Sequence, residues 1–197
     1  MSDQKIRNKE YTRQKIIDVA IKLIAEQGYK TTTLLQISNE AGVSEMTVIR
    51  HFQTKENILI ESIKTLNSYL PQIKQFIKTE AVYELEHDIK KIITLIQESI
   101  LKNRQIMTIV LNEKEFEHKI DKEMPLDIIK VLADYFKLMK EKKKMRQLDT
   151  EAVAFDILSF LSGTASLSSR FGDKLTSTTE KESIDTFVQI LSKGLKP

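Results

Sequence analysis

The sequence predicts an all-α fold, and three observations indicate it. The chain of 197 residues has only five glycines and three prolines, so few positions can interrupt a helix. Apolar residues recur at the helical spacing of three and four along much of the chain. There is no cysteine, so neither a disulfide framework nor a thiolate metal site is expected to support the fold.

The first helix is predicted from an apolar stripe, and Gly28 is expected to end it. The stripe consists of Ile16, Val19, Ala20, Leu23 and Ile24. The first fifteen residues are basic, with Lys5, Arg7, Lys9, Arg13 and Lys15 against Asp3 and Glu10. Such an arm could lie along the phosphates of a nucleic acid or simply be a solvated terminus.

A helix-turn-helix is predicted between Gly28 and Lys55. Ala41 is small enough for a second helix to cross close by, and Gly42 ends the first short helix because it adopts the left-handed conformation at little cost. Ser44 is a strong N-cap for the next helix. The expected inward-facing residues are Leu35, Ile37, Ala41 and Val43 around the first short helix, and Val48 and Phe52 in the second.

The other residues of the second short helix are expected on or near its outer side: Glu45, Met46, Thr47, Ile49, Arg50 and His51. Such a helix suits the DNA major groove, where an arginine can form two hydrogen bonds to guanine and an apolar side chain can contact the thymine methyl group. An ordinary helical hairpin with a solvated face is the alternative, and composition alone does not separate the two.

This segment resembles the DNA-binding domain of the tetracycline-repressor (TetR) family of bacterial regulators. The resemblance covers residues 9–66. It departs from the family at Ile49, where members usually have a tyrosine that often contacts the DNA backbone, whereas isoleucine offers only apolar contact. The matching positions, all in register, are Gly28, Thr33, Ile37, Ala41, Gly42, Val43, Ser44, His51, Phe52 and Lys55.

The resemblance implies two domains: a DNA-binding three-helix domain with the helix-turn-helix over residues 1–54, and a larger helical ligand-binding and dimerisation domain over residues 55–197. It implies a ligand-responsive regulator, most simply a repressor, that binds a palindromic operator in double-stranded DNA as a homodimer. The alternative is a DNA-binding protein of the same fold that answers to a protein partner or organises DNA. The expected DNA contacts are Thr32, Thr33, Ser44, Glu45, Met46, Thr47, Ile49, Arg50, His51 and Lys55, the last at a phosphate.

A long fourth helix is predicted from the Thr54 cap to Leu70, with Pro71 kinking or ending it. Amphipathic helices follow, and Pro125 is expected in the first turn of one of them. Their stripes are Leu85, Ile89, Ile92, Ile96 and Ile100, then Ile128, Leu132, Tyr135, Phe136 and Met139. A pocket for a hydrophobic effector is hypothesised from Phe76, Met107, Tyr135, Phe136, Met139 and Phe155, although such residues more often form plain core.

The last two predicted helices suggest a subunit interface. Between residues 152 and 167 the chain is apolar almost all round, which predicts burial on two sides. The final helix carries Ile184, Phe187, Val188, Leu191 and Leu195 at helical spacing. The resemblance implies a four-helix bundle between two subunits. A helix buried inside one large subunit is the alternative.

An enzyme is not predicted. Glu84 with His87, and Glu115 with His118, have the Glu-x-x-His spacing of di-iron bundles, but both pairs, the first together with Asp88, are expected on faces away from the apolar residues of their helices. No matched nucleophile and base and no glycine-rich phosphate loop is visible. No metal or cofactor is therefore expected. The absence of a signal-like or membrane-spanning apolar run predicts a cytoplasmic protein.

Overall fold

The computed structural model describes residues 2–67, 69–112, 123–172 and 176–197. Helices account for the regular structure of these ranges, and no strand occurs in them, as the sequence predicted. None of the helices described combines the length and apolarity that a membrane span requires. The helices are α1 Ser2–Gln27, α2 Leu34–Ala41, α3 Glu45–Phe52, α4 Lys55–Lys64, α5 Leu70–Thr79, α6 Leu85–Lys102, α7 Arg104–Asn112, α8 Glu123–Glu141, α9 Thr150–Phe171 and α10 Glu180–Leu195, with a 3-10 turn at Thr65–Asn67.

The helices form two compact units. Of the described residues, the first unit contains 2–66 and 103–112, and the second contains the remainder. In the first unit α1 packs against α2, α4 and α7, and α2 packs against α3. In the second unit α8 packs against α9 and α6 against α10. By packing, α4 thus groups with α1–α3, and the functional boundary predicted between residues 54 and 55 stays a prediction.

Capping residues set the helix boundaries of the first unit. Gly42 follows α2 with φ of +65°, the left-handed conformation predicted for it. The Ser44 hydroxyl accepts a hydrogen bond from the backbone N–H of Thr47 at 3.2 Å and caps α3. Thr54 caps α4 in the same way, accepting from the backbone N–H of Asn57 at 3.1 Å. These three predictions are confirmed.

The inner side of α2 differs from the prediction at one residue. Ile37 and Ala41 are fully buried, as expected, but Leu35 is 54% exposed. Leu34, three residues before Ile37, supplies the next inward position and is half-buried. Because neighbouring residues on a helix point about 100° apart, assigning Leu35 rather than Leu34 to the inner side was an error of one residue.

The prediction of one long fourth helix was wrong. α4 ends at Lys64, a 3-10 turn follows, and α5 begins at Leu70. Pro71 lies in the first turn of α5, where the missing N–H of proline breaks no hydrogen bond. Proline is compatible with both a helix stop and a helix start, and here it marks a start. Pro125 lies near the beginning of α8, as predicted.

The second unit has a continuous apolar core. The predicted stripes of α6 and α8 face it, and α5, α9 and α10 complete it. Its most deeply buried side chains include Ile73, Ile89, Ile92, Ile93, Ile96, Ile128, Leu132, Tyr135, Phe136, Met139, Ile157 and Val188.

Asp88 is buried inside this unit, so its expected place on a solvated face was wrong. Its carboxylate accepts hydrogen bonds from the backbone N–H groups of Val82 at 3.2 Å and Tyr83 at 2.8 Å, and from the Tyr135 hydroxyl at 2.9 Å. Nδ1 of His87 lies 2.9 Å from the same carboxylate. The segment before α6 folds back over the first turn of that helix, and this encloses Asp88.

Glu84 and His87 are exposed, as predicted. The second pair, Glu115 and His118, lies outside the described residues. Within the described ranges, no group of three or more histidine, aspartate or glutamate residues is placed to hold a metal ion.

Candidate nucleic-acid interface

The first unit presents the outer side of α3 to solvent. Val48 and Phe52 are buried and anchor the helix from below. Met46 is 70% exposed, and Ile49 and Arg50 are also exposed. We call the outward-facing set Glu45, Met46, Thr47, Ile49, Arg50 and His51 the α3 surface. The structure thus brings together the residues that the amphipathic pattern of this helix predicted to face outward.

Polar groups at the N-terminus of α3 adjoin the α3 surface. The hydroxyls of Ser44 and Thr47 are hydrogen-bonded at 2.9 Å, and both residues belong to the first turn region of the helix. Thr33 is exposed and caps α2, where its hydroxyl accepts from the backbone N–H of Gln36 at 3.2 Å. Exposed hydroxyls beside the first N–H groups of a helix are suited to binding phosphate oxygens.

Thr32 does not belong to this surface, although a DNA contact was expected from it. Its side chain is buried, with 1% of the residue exposed. Its hydroxyl donates to the carbonyl of Gly28 at 2.9 Å, and Nε2 of Gln27 lies 3.2 Å from the same hydroxyl. Thr32 therefore stabilises the turn between α1 and α2 from inside.

Lys55 also has an internal role where a phosphate contact was expected. Its ammonium donates to the backbone carbonyls of Tyr29 and Thr32. It also lies 4.1 Å from the centre of the Tyr29 ring, within the range of a cation–π interaction. These contacts fasten the segment between α1 and α2 to the first residue of α4. In the structure, the Lys55 ammonium therefore supports the segment between α1 and α2, and it is not part of the α3 surface.

The electrostatic environment of the α3 surface is positive. Partial burial lowers the pKa of His51, and the nearby charges of Arg50, Lys9 and Arg13 lower it further, against a small opposing effect of Glu10. Two of these cations, Lys9 and Arg13, belong to the basic N-terminal segment, which is the first part of α1. The basic segment therefore adds to the positive potential at α3.

The six residues of the hypothesised pocket are not brought to one place. Phe76, Tyr135, Phe136 and Met139 are buried in the core of the second unit. Met107 is half-buried in the first unit. Phe155 is 57% exposed, because the inner side of α9 is formed by Ala154, Ile157 and Leu161 instead. Its expected place inside a pocket was therefore wrong.

An open groove of about 340 Å³ does occur between α5 and α8. Of the six hypothesised residues only Tyr135 lines it. The remaining lining residues, which the sequence did not predict, are Lys74, Ile77, Val131, Asp134 and Leu138. These residues lie at the margin between the buried and exposed sides of their helices, where an apolar stripe alone gives no sign of a groove.

The second unit exposes an apolar surface on α9 and α10. Phe155, Leu167 and Ile190 are exposed on it. Leu158, Phe160, Phe187 and Leu191 are half-buried, and the rings of Phe160 and Phe187 stack with centres 3.8 Å apart. We call these seven residues the α9–α10 surface. Large apolar side chains exposed in a single chain can mark a protein–protein contact.

Comparison with known proteins agrees with these features. Residues 16–61 match the family described as bacterial regulatory proteins, tetR family. The chain is 28% identical over 188 residues to the uncharacterized HTH-type transcriptional regulator YvkB of Bacillus subtilis (strain 168). The aligned stretch covers 93% of this chain and 97% of YvkB. A shorter stretch of 74 residues is 32% identical to the biofilm operon icaADBC HTH-type negative transcriptional regulator IcaR of Staphylococcus aureus (strain Newman), covering 38% of this chain and 40% of IcaR.

The whole fold also has a close structural counterpart. The structure of the fatty acid degradation regulator FadR from Bacillus halodurans superimposes with a TM-score of 0.70 over 92% of each chain, at 22% sequence identity. At that identity the likeness shows the fold alone.

A capped helix-turn-helix with an outward-facing second helix, followed by an all-helical unit, defines a helix-turn-helix transcriptional regulator and not an enzyme. Residues 16–61 carry the DNA-binding domain of the TetR family, as the resemblance over residues 9–66 predicted, and the chain is similar to an HTH-type transcriptional regulator along almost its whole length.

Proposed function

We propose that this regulator is a repressor that binds a palindromic operator as a homodimer and releases it when a hydrophobic small molecule binds. The observation that carries the proposal is the α3 surface, where Arg50, Met46 and Ile49 are exposed while Val48 and Phe52 hold the helix from inside. A negative regulator among the relatives, IcaR, supports repression rather than activation. The proposed location is the cytoplasm.

The chemistry of the α3 surface assigns distinct roles to its residues. Arg50 presents a guanidinium that can form two hydrogen bonds to O6 and N7 of guanine in the major groove. Ile49 and Met46 offer apolar contact to thymine methyl groups, in place of the tyrosine that family members usually have at the first of these positions. Ser44, Thr47 and Thr33 lie at helix N-termini and are proposed to bind phosphates.

Replacing Arg50 with alanine is expected to weaken operator binding by about 1–3 kcal/mol and to relax the preference at one base pair. The parent protein would first be used to select an operator from random duplex DNA. Fluorescence anisotropy would then measure the affinity of each protein for every single-base variant of that operator. Lys22→Ala is the matched control, because Lys22 is an exposed cation of the same unit that pairs with Glu40 at 3.3 Å and is not part of the α3 surface. Unchanged affinity and preference in Arg50→Ala would exclude base reading by Arg50.

Operator binding is expected to be tighter at pH 6 than at pH 8. The pKa of His51 is held below its usual value in the free protein, and a neighbouring phosphate would raise it, so binding takes up a proton. By linkage the affinity then rises as the pH falls, by up to about tenfold per pH unit for one proton. Affinities at constant ionic strength would test this. In His51→Gln the part due to this residue disappears, and an unaltered pH profile in that variant would contradict the proposal.

The α9–α10 surface is proposed to form the homodimer. In a twofold-symmetric dimer the same apolar surface of each subunit meets its copy, and two α3 helices are presented to successive major-groove turns about 34 Å apart. This arrangement requires a palindromic operator, because each half-site is read by the same residues in the opposite direction.

A hydrophobic small molecule is proposed as the effector, because the second unit has a continuous apolar core and a groove between α5 and α8. To change the dimer from almost fully DNA-competent to almost fully incompetent, the effector must favour the second state by about 5.5 kcal/mol. Reciprocity then requires operator DNA to weaken effector binding by the same factor. Control by a protein partner, or a role in organising DNA, is the alternative.

A further inference from the structure

Arg13 joins three helices of the first unit. It lies on α1, and its Nη2 donates to a carboxylate oxygen of Glu61 on α4 at 2.7 Å. The same guanidinium lies over the ring of Phe52, with 5.0 Å from Cζ to the ring centre. Phe52 is the last residue of α3 and is almost fully buried. One side chain therefore contacts both the end of α3 and the middle of α4.

The chemistry of the guanidinium explains how it makes both contacts at once. A planar cation can stack its face on an aromatic ring while an N–H at its edge donates to a carboxylate. Glu61 is held on its other oxygen by Lys64 at 2.7 Å. Hydrogen bonds from Lys64 and from Arg13 lower the pKa of Glu61, so its carboxylate is ionised near neutral pH.

We propose that Arg13 is a positioning residue that couples α4 to α3 and holds the α3 surface in the orientation that binds the operator. Glu61 fixes the guanidinium from α4, and the guanidinium in turn holds Phe52 at the end of α3. The inference rests on the proposed DNA binding.

A simpler role for Arg13 is that of a phosphate contact, like other cations of the basic N-terminal segment. The two roles predict opposite changes in operator affinity when the Glu61 carboxylate is removed. If Arg13 only binds phosphate, removing the carboxylate releases the guanidinium and deletes a negative charge near DNA, so binding tightens. If Arg13 positions α3, removing the carboxylate breaks the coupling and operator binding weakens.

The test is Glu61→Gln, measured on the selected operator and on unrelated duplex DNA at several salt concentrations. We expect a loss of about fivefold on the operator, no loss on unrelated DNA, and an unchanged slope of log affinity against log salt. Arg13→Lys should lose a similar factor on the operator, because an ammonium keeps the charge but cannot combine the stacked and edge contacts. The double variant Arg13→Lys/Glu61→Gln should be no weaker than the weaker single variant, because both substitutions remove one interaction.

Glu40→Gln is the matched control. It also deletes one negative charge and breaks one ion pair with α1, the exposed Lys22–Glu40 pair, but the cation over the Phe52 ring is Arg13 and not Lys22. It should leave operator preference unchanged. Thermal unfolding of each variant would confirm that it is folded, as expected for a partly exposed ion pair.

The outcomes separate the inference from the proposed function. A parent protein that binds no selected operator would overturn both. A parent that binds its operator while Glu61→Gln binds as tightly or more tightly would overturn the coupling alone. Equal losses on operator and unrelated DNA would do the same, since they would show a general effect on charge or folding.

Discussion

Asp88→Ala is expected to lower the free energy of unfolding of the second unit by about 3–5 kcal/mol. The Asp88 carboxylate is fully buried and accepts from the backbone N–H groups of Val82 and Tyr83 and from the Tyr135 hydroxyl. Alanine would leave these donors without their acceptor. A buried donor that loses its partner costs about 1–3 kcal/mol, and hydrogen bonds to a charged group are at the upper end of that range.

Urea unfolding followed by circular dichroism, at a fixed protein concentration, would measure this loss. Tyr135→Phe removes only one of the donors, and the carboxylate keeps its two backbone partners, so a smaller loss of about 1–2 kcal/mol is expected. Asp185→Ala is the matched control, because it breaks a partly exposed ion pair with Lys90 at 2.9 Å and should cost less than about 1 kcal/mol. Equal losses for Asp88→Ala and Asp185→Ala would show that the buried carboxylate is not a major support of this unit.

Asp88 also shows why parts of this fold could not be predicted from the sequence. A carboxylate beside an apolar stripe is expected to face water, because an isolated charge is costly to bury. What makes its burial possible is Tyr135, 47 residues away, together with the backbone of the segment that folds over it. Hydrogen-bond partners so distant in sequence leave no local pattern.

Local signals were read correctly where one residue decides the backbone. Gly42 ends a helix and Ser44 begins the next one because a positive φ and a capping hydroxyl are requirements of single positions. Pro71 was read in the wrong sense, since proline neither continues a preceding helix nor hinders a following one. Leu35 was misplaced because a helix of eight residues is too short for its period to distinguish Leu34 from Leu35.

The same contrast applies to the candidate site. The α3 surface could be predicted because its outer side follows from the period of a single helix. The internal role of Lys55 could not be predicted. The family pattern specifies a lysine at this position but does not show that its ammonium binds the carbonyls of Tyr29 and Thr32. Pocket and core residues have the same apolar pattern, so Phe155 was grouped with Phe136, although one is exposed and the other fully buried.

The α9–α10 surface leads to the second large effect. Ile190 is 67% exposed in the single chain and lies three residues after Phe187, so the two side chains are neighbours on the surface of α10. It is a cleaner position for substitution than Phe187, whose ring already stacks on Phe160 within the same chain. A charged residue at Ile190 should therefore leave the isolated subunit folded.

Ile190→Glu is expected to convert the proposed dimer into monomers at micromolar concentration, with dimerisation weakened by about a hundredfold or more. Twofold symmetry brings the substitution into the interface twice, and each carboxylate would lose its hydration against apolar neighbours, a cost of several kcal/mol. Sedimentation velocity across a concentration series would measure the change. Gln189→Glu is the control, because it adds the same charge on an exposed position of α10 that points away from Phe187 and Leu191. With the dimer lost, operator affinity should fall as well, since one subunit reads only one half-site. A parent that is already monomeric, or an Ile190→Glu protein that stays dimeric at the same concentrations, would rule out this surface as the subunit interface.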